Sequence, residues 1–115
     1  MTEPSVFTRI AAREIPAEIV AETDRVIAFR DIAPKAPLHV VVTPKTGEYA
    51  DVVALAAGDP GLLAEVIDVA RGVAADHGDG QFRLIFNTGA GAGQTVFHVH
   101  AHVLAGGLEE RGLVG

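Results

Sequence analysis

The sequence contains no cysteine and no tryptophan, and it has only one methionine and one tyrosine among its 115 residues. Without cysteine, neither a disulfide framework nor a thiolate metal site can form. Basic residues are also scarce, because nine Lys and Arg stand against 15 Asp and Glu, which gives a net charge of −6. Polynucleotide binding depends largely on neutralised phosphates, so this charge argues against nucleic acid as a partner, although a few local donors could still hold a small anion.

Long apolar runs are missing as well. The first twenty residues are amphipathic and lack the apolar core of a signal peptide, and no run of the chain could span a bilayer. We therefore expect a cytoplasmic protein without a membrane partner. The length and the 49% share of hydrophobic residues predict a single domain over residues 1–115. Its last residues, 108–115, follow Gly106-Gly107 and are expected to form a loose tail.

The rest of the chain carries alternating helix and strand signals. The predicted elements, in chain order, are a helix at 5–13, a two-stranded hairpin at 19–22 and 25–30, a strand at 38–43, a short helix at 49–57, a long helix at 60–77, and strands at 81–87 and 96–104. Ser5 is a plausible N-cap of the first helix, and Asp59-Pro60 begins the long one. Residues 38–43 are apolar on both faces, which is typical of a central strand. The last two strands are joined by a short loop and must be antiparallel, so we expect an α+β fold with one antiparallel sheet.

Three of the five histidines lie in the last predicted strand. Successive side chains of a strand point to opposite faces. One face would carry Phe97, Val99, Ala101 and Val103 and pack on a core, and the other would carry His98, His100 and His102. We expect the imidazole of His100 to lie on an open sheet surface, where it could react.

This row of imidazoles has three interpretations. The first is a solvated strand face that happens to contain histidine. The second is a metal site, which would need a third ligand such as His39 or Asp31. The third is nucleophilic catalysis on phosphorus, in which the middle imidazole attacks and the glycine-rich loop at 88–93 offers backbone N–H groups to an oxyanion. The loop lacks the Lys-Ser/Thr ending of a P-loop, but it leads directly into the histidines, which favours the third interpretation.

The run His98-Val99-His100-Ala101-His102-Val103-Leu104 resembles the signature of the histidine triad (HIT) family, His-φ-His-φ-His-φ-φ, where φ is apolar. Further segments resemble the Hint branch of that family in order and spacing: Phe7-Thr8-Arg9-Ile10, Glu14-Ile15-Pro16, residues 29–34, 36–39 and 44–45, Asn87-Thr88-Gly89 and residues 93–97. The likeness spans about residues 6–107. It implies a five-stranded antiparallel sheet with one long helix and a short N-terminal helix. It also implies a homodimer whose two sheets join into one of ten strands.

The resemblance further implies an activity. Hint proteins bind purine mononucleotides and hydrolyse the P–N bond of adenosine 5′-phosphoramidates and related adenylates through a covalent nucleotidyl-histidine. Two alternatives stay open, namely a purine nucleotide-binding module without turnover and a dinucleoside polyphosphate hydrolase of the same family. The expected ligand is a purine mononucleotide or an adenylate, and neither a cofactor nor a resident metal is expected.

The resemblance assigns roles to particular residues. His100 would be the nucleophile, and His102 and His98 would contact the phosphate and the neighbouring imidazole. His39 belongs to the same histidine cluster and would help to orient the site. Asn87, Gln94 and Thr95 would hold phosphate oxygens or the leaving group, and Gly93 and Val96 would also bind the nucleotide. Asp31 would take the ribose hydroxyls, and the base would be surrounded by Ile15, Phe29, Ile32 and Val41. The chain departs from the family in two places: Thr95 stands where many relatives have serine, and the short tail has no tryptophan.

Overall fold

The computed structural model describes residues 4–108. Its elements in chain order are α1 (Val6–Ala11), β1 (Ile19–Glu22), β2 (Val26–Arg30), β3 (Leu38–Pro44), α2 (Val52–Gly58), α3 (Pro60–His77), β4 (Arg83–Ile85), a 3-10 turn (Ala90–Ala92) and β5 (Ala101–Ala105). The strands form one sheet in the order β1-β2-β3-β5-β4, and all neighbouring pairs are antiparallel. The predicted α+β fold with a five-stranded antiparallel sheet is therefore confirmed. None of the helices in residues 4–108 is long and apolar enough to cross a membrane.

Helix α3 covers one face of the sheet. The carboxylate of Asp59 accepts the N–H of Leu62, and Pro60 occupies the first turn, where a missing N–H costs nothing. The apolar side of the helix packs on alternate residues of β2, β3 and β5 to form the main core. Strand β3 is buried along its whole length, as predicted for a central strand.

The opposite face of the sheet carries a smaller apolar cluster that includes helix α1. Phe7 and Ile10 from α1 pack against Phe29 of β2 and Val41 of β3. The ring centroids of Phe7 and Phe29 lie 5.7 Å apart. We call these four residues the second cluster. Because α1 lies on this face, it brings Phe7 and the capping residue Ser5 next to the histidines.

The last strand is shorter than its alternating pattern predicts. β5 begins only at Ala101, so the prediction of a strand over residues 96–104 is wrong for its first half. The backbone N–H of Val99 donates to the carbonyl of Tyr49, and the carbonyl of Val99 accepts the Thr43 hydroxyl at 2.7 Å. These bonds replace the backbone ladder to β3. Phe97, predicted to face the core, is 57% exposed because it lies ahead of the strand.

Other element boundaries differ by a few residues. Helix α1 is shorter than the predicted 5–13, helix α2 begins at Val52 because Asp51 caps it, and β4 is confined to Arg83–Ile85. Gly78 follows α3 as predicted, but with extended backbone rather than a left-handed turn. The predicted loose tail falls almost entirely on residues 109–115, which lie outside the described part of the chain.

Candidate active site

One row of side chains crosses the whole sheet on the face opposite α3. The strand registers pair Ile19 with Phe29, Phe29 with Val41, Val41 with His102 and His102 with Ile85. Directly paired residues of antiparallel strands point to the same face, with Cβ atoms about 4.5–5.5 Å apart. Phe29 and Val41 therefore form an apolar strip that leads along this row to His102. Both were predicted to surround a base.

The next row on the same face holds the polar residues of the site. His39 pairs with Leu104 across β3 and β5, and the backbone N–H of Asp31 donates to the carbonyl of His39. Asp31 also accepts the N–H of Ala33, which holds its carboxylate in a local turn. Its second oxygen lies 3.4 Å from Nε2 of His39. The predicted ribose ligand and the predicted orienting histidine are thus brought together.

His39 and His102 are joined by a direct hydrogen bond. The N–H of Lys35 donates to Nδ1 of His39, so a neutral His39 carries its proton on Nε2. That proton lies between Nε2 of His39 and Nδ1 of His102, which are 3.0 Å apart. Nδ1 of His102 is then an acceptor, and the proton of the neutral His102 ring resides on Nε2. The network therefore presents His102 as a hydrogen-bond donor.

His100 has the opposite tautomer. Its Nδ1 lies 2.9 Å from the carbonyl oxygen of His98, and a carbonyl can only accept, so the proton of His100 is on Nδ1. Nε2 then carries a free lone pair. Within residues 4–108, every fully buried side-chain nitrogen or oxygen has a hydrogen-bond partner. Nε2 of His100 has no such partner among these residues, so this nitrogen is not fully buried. The lone pair of Nε2 is therefore not used within the described residues, and the ring centroids of His100 and His102 lie 5.1 Å apart.

The prediction that the imidazole of His100 lies on an open sheet surface is wrong, because the residue is buried. Only 8% of the residue is exposed, because the ring of Phe7 packs edge-on against it with centroids 4.8 Å apart. Burial lowers the pKa of His100 below its usual value, with the carbonyl of His98 opposing the shift. The pKa of His102 is lowered to about 4, first by burial and then by the neighbouring His100 and His39. Both rings are therefore neutral at pH 7, as the assigned tautomers require.

His98 is buried and held by other residues of the protein, which differs from its predicted contact with phosphate. It is 1% exposed, its Nε2 donates to the carbonyl of Pro44 at 2.7 Å, and its Nδ1 is hydrogen bonded to the Ser5 hydroxyl. Both ring nitrogens are thus occupied within the protein. Burial lowers the pKa of His98, which keeps the ring neutral. The prediction that His98 touches phosphate is corrected on this ground.

The glycine-rich loop is fastened by Gln94, which is 4% exposed. The amide oxygen of this side chain accepts the N–H of Gly89 at 2.8 Å, and its nitrogen donates to the carbonyls of Ala50 and Val96. Gly89 and Gly93 both have positive φ angles, which an L side chain rarely adopts. Because its polar atoms are bound within the protein, Gln94 anchors the loop, and its predicted role as a phosphate ligand is corrected.

The remaining residues predicted to bind the nucleotide differ in how far they are buried beside the histidines. Asn87 is half-buried and follows β4 by two residues, just beyond the pairing of Ile85 with His102. Ile15 and Val96 are half-buried against the second cluster, which brings them to the same side as Phe29 and Val41. Thr95 and Gly93 are exposed beside the loop. Ile32 is 99% exposed and does not pack against the apolar strip.

A metal ion is the alternative use of this cluster. One ligand atom each from Asp31, His39 and His102 lie within 4.8 Å of one another. Nε2 of His39 and Nδ1 of His102 are, however, already bound to each other through a proton. A cation could bind there only by replacing that proton, so the hydrogen-bonded arrangement fits a proton-bearing site better than a metal centre.

The sequence analysis missed three residues that hold the histidines. Ser5 was predicted only as an N-cap, and Phe7 and Pro44 were not assigned to the site. The structure places the Ser5 hydroxyl and the Pro44 carbonyl on the two ring nitrogens of His98, and the ring of Phe7 against His98 and His100. The Phe7 segment carried a family likeness, but its contact with residues about 90 positions later has no local signal.

Comparison with known proteins agrees with the fold and shows the family. A family model described as the HIT domain matches residues 12–107. The chain is 48% identical over 107 residues to an uncharacterised HIT-like protein of Synechocystis, covering 92% of this chain and 93% of that one. It is 41% identical over 109 residues to the purine nucleoside phosphoramidase of Escherichia coli, and the match covers 92% of this chain and 90% of that protein. A solved HIT family hydrolase from Clostridium thermocellum is 42% identical, with a TM-score of 0.84 over 92% of this chain and 93% of that one. The chain belongs to the HIT family.

Proposed function

We propose that this protein is a hydrolase that cleaves the P–N bond of purine nucleoside 5′-phosphoramidates through a nucleotidyl-histidine on His100. The observation that carries the proposal is the tautomer of His100, whose Nδ1–H is held by the carbonyl of His98 and whose Nε2 lone pair is free. Neutral imidazole is a good nucleophile, and a covalent intermediate divides one difficult displacement into two easier ones. The likeness to HIT hydrolases and to a purine nucleoside phosphoramidase supports the same class.

The reaction would proceed in two displacements. Nε2 of His100 attacks phosphorus, the P–N bond breaks, and the leaving nitrogen departs as an amine after taking up a proton from water. A water oxygen then attacks the same phosphorus, the bond between phosphorus and Nε2 breaks, and the water loses a proton as the mononucleotide is released. The N–H of His102 would donate to a phosphate oxygen in both steps, since His39 keeps its proton on Nε2.

The nucleotide would lie along the rows of the sheet. Phe29 and Val41 extend from His102 as an apolar strip, but Phe7 and Ile10 of α1 pack on it and leave Phe29 and Val41 only 5% and 4% exposed. The base would therefore lie against the edge of this cluster, which Ile15 borders. The carboxylate of Asp31, 3.4 Å from His39, suits the ribose hydroxyls, which donate hydrogen bonds. Exposed Ile32 adjoins Asp31 in sequence and could cover the base only once a ligand is present.

The decisive experiment compares the wild-type protein with a His100→Ala variant on adenosine 5′-phosphoramidate. We expect the wild type to release AMP and the variant to lose at least 10³-fold in kcat, because no covalent intermediate can form. Mass spectrometry of rapidly quenched wild type should detect one AMP moiety on the peptide that contains His100.

Two results would contradict this proposal. Equally slow release by both proteins, with AMP still bound by each, would indicate a nucleotide-binding module. Activity that is abolished by EDTA and restored by a divalent ion would instead point to metal-assisted hydrolysis at Asp31, His39 and His102.

We also propose that two copies associate through β4. This edge strand has only three residues, all half-buried, and Phe82, Leu84 and Phe86 around it are only partly covered by the core. In the part of the chain that the structure describes, β4 is the outermost strand of the sheet, and an edge strand with apolar neighbours favours pairing with another chain. Light scattering after size exclusion should give twice the monomer mass of 11.9 kDa, and a monomer mass at micromolar concentration would refute the proposal.

A further inference from the structure

The first described residues of the chain contact the histidine row directly. Ser5 precedes α1, and its hydroxyl oxygen accepts the N–H of Thr8 at 3.1 Å, which caps the helix. The same hydroxyl is hydrogen bonded to Nδ1 of His98. Because Nε2 of His98 donates to the carbonyl of Pro44, Nδ1 carries no proton, and the Ser5 hydroxyl must be the donor. One side chain therefore caps a helix and fixes a ring.

The fixed ring leads to the nucleophile. The backbone carbonyl of His98 accepts the Nδ1 proton of His100 at 2.9 Å. Phe7 packs against both rings, with centroids 5.6 Å from His98 and 4.8 Å from His100. A displacement of the His98 peptide, which the two hydrogen bonds of the His98 ring resist, would release the proton that determines which nitrogen of His100 is free.

We propose that Ser5 is a positioning residue for the nucleophile, and that its hydroxyl acts through His98 to present Nε2 of His100 to phosphorus. This inference rests on the proposed function, since it concerns the same His100. Within residues 4–108 the Ser5 hydroxyl bonds Thr8 and His98 and does not bond Asp31, so we expect its loss to affect the chemical step more than nucleotide binding.

The Ser5 hydroxyl also lies 3.3 Å from Oγ1 of Thr8, and substitutions at Ser5 can separate its contacts with Thr8 from its hydrogen bond to His98. Ser5→Ala removes both the helix cap and the donor to His98. Ser5→Asp keeps an acceptor for the N–H of Thr8 but cannot donate to His98, whereas Ser5→Thr keeps both functions. Asp59→Ala is the matched control, because it removes the N-cap of α3 on the other face of the sheet and leaves the histidines untouched.

The first measurement is steady-state turnover of adenosine 5′-phosphoramidate. We expect Ser5→Ala and Ser5→Asp to lower kcat by about five- to tenfold with KM unchanged, which corresponds to the loss of one hydrogen bond. Ser5→Thr should restore kcat to within about twofold. Asp59→Ala should keep the wild-type kcat even though it also lowers the melting temperature.

The second measurement does not depend on turnover. Long-range ¹H–¹⁵N NMR spectra report which imidazole nitrogen carries the proton. The wild type should show His98 protonated at Nε2 and His100 at Nδ1, and the Ser5→Asp variant should show a proton on Nδ1 of His98. If the wild type turned over no phosphoramidate but gave these spectra, the proposed function would fail while the positioning by Ser5 would stand.

Two results would overturn the inference. In the first, Ser5→Ala and Ser5→Asp leave the nitrogen shifts of His98 and His100 unchanged. In the second, their kcat values match that of Asp59→Ala, which would reduce Ser5 to an ordinary helix cap.

Discussion

At the residue scale, the site depends on which nitrogen of each ring bears a proton. His39 and His102 lie 63 positions apart in the chain, and His98 and Ser5 lie 93 apart, yet each pair shares one hydrogen bond. The His-x-His-x-His pattern predicted which residues form the candidate site, because alternation puts three imidazoles on one side. It could not predict that His98 is buried, since both partners of that ring come from other elements. The pattern therefore predicts the composition of the site, whereas tertiary contacts determine the tautomers.

Gln94 provides a residue-scale prediction. Replacing it with alanine should lower the free energy of unfolding by about 2–3 kcal/mol, because the N–H of Gly89 and the carbonyls of Ala50 and Val96 lose their partners. Gln94→Glu is the matched control. It keeps the acceptor for Gly89 but sets a carboxylate against two carbonyls, so we expect at least as large a loss.

Urea denaturation of the three proteins tests this prediction, and hydrogen exchange should show faster exchange of the Gly89 amide in both variants. If Gln94→Ala unfolded at the same urea concentration as the wild type and only its KM were raised, the result would contradict the anchoring role. It would instead support the phosphate-binding role predicted for Gln94 from the sequence.

At the element scale, local signals predicted the long helix better than the last strand. Helix α3 has its cap, its proline and its apolar period within one stretch of sequence, and the structure confirms its bounds at Pro60–His77. Strand β5 begins later than its alternation predicts, because the N–H of Val99 is taken by Tyr49, 50 positions earlier. Alternation specifies which side a residue faces, but only the partner strand decides where the ladder starts.

The cap of α3 allows an element-scale prediction. Asp59→Ala should cost about 1 kcal/mol of stability, chiefly through the bond from its carboxylate to the N–H of Leu62. Asp59→Asn keeps a capping oxygen and loses only the half-exposed ion pair with Arg25, so it should cost no more than about 0.5 kcal/mol. Thermal unfolding measures both. Equal losses in the two variants would show that the ion pair, and not the cap, stabilises this end of the helix.

At the scale of the whole molecule, the buried histidines couple folding to pH. Burial lowers the pKa values of His98, His100 and His102, the last to about 4, whereas an unfolded histidine titrates near 6.5. Between these values the unfolded chain binds more protons than the folded one, so stability rises with pH and is lost as pH falls. Each histidine that stays neutral contributes a slope of up to about 1.4 kcal/mol per pH unit.

The contribution of one ring can be isolated by subtraction. The free energy of unfolding should decrease for the wild type as pH falls from about 6.5 to about 4, and less steeply for His102→Gln, which removes one proton-binding group from the unfolded chain. Taking the difference between the two proteins cancels the carboxylates, which titrate in the same range in both. Parallel curves for the two proteins would mean that His102 is protonated in the folded state, which would remove the neutral donor on which the proposed mechanism depends.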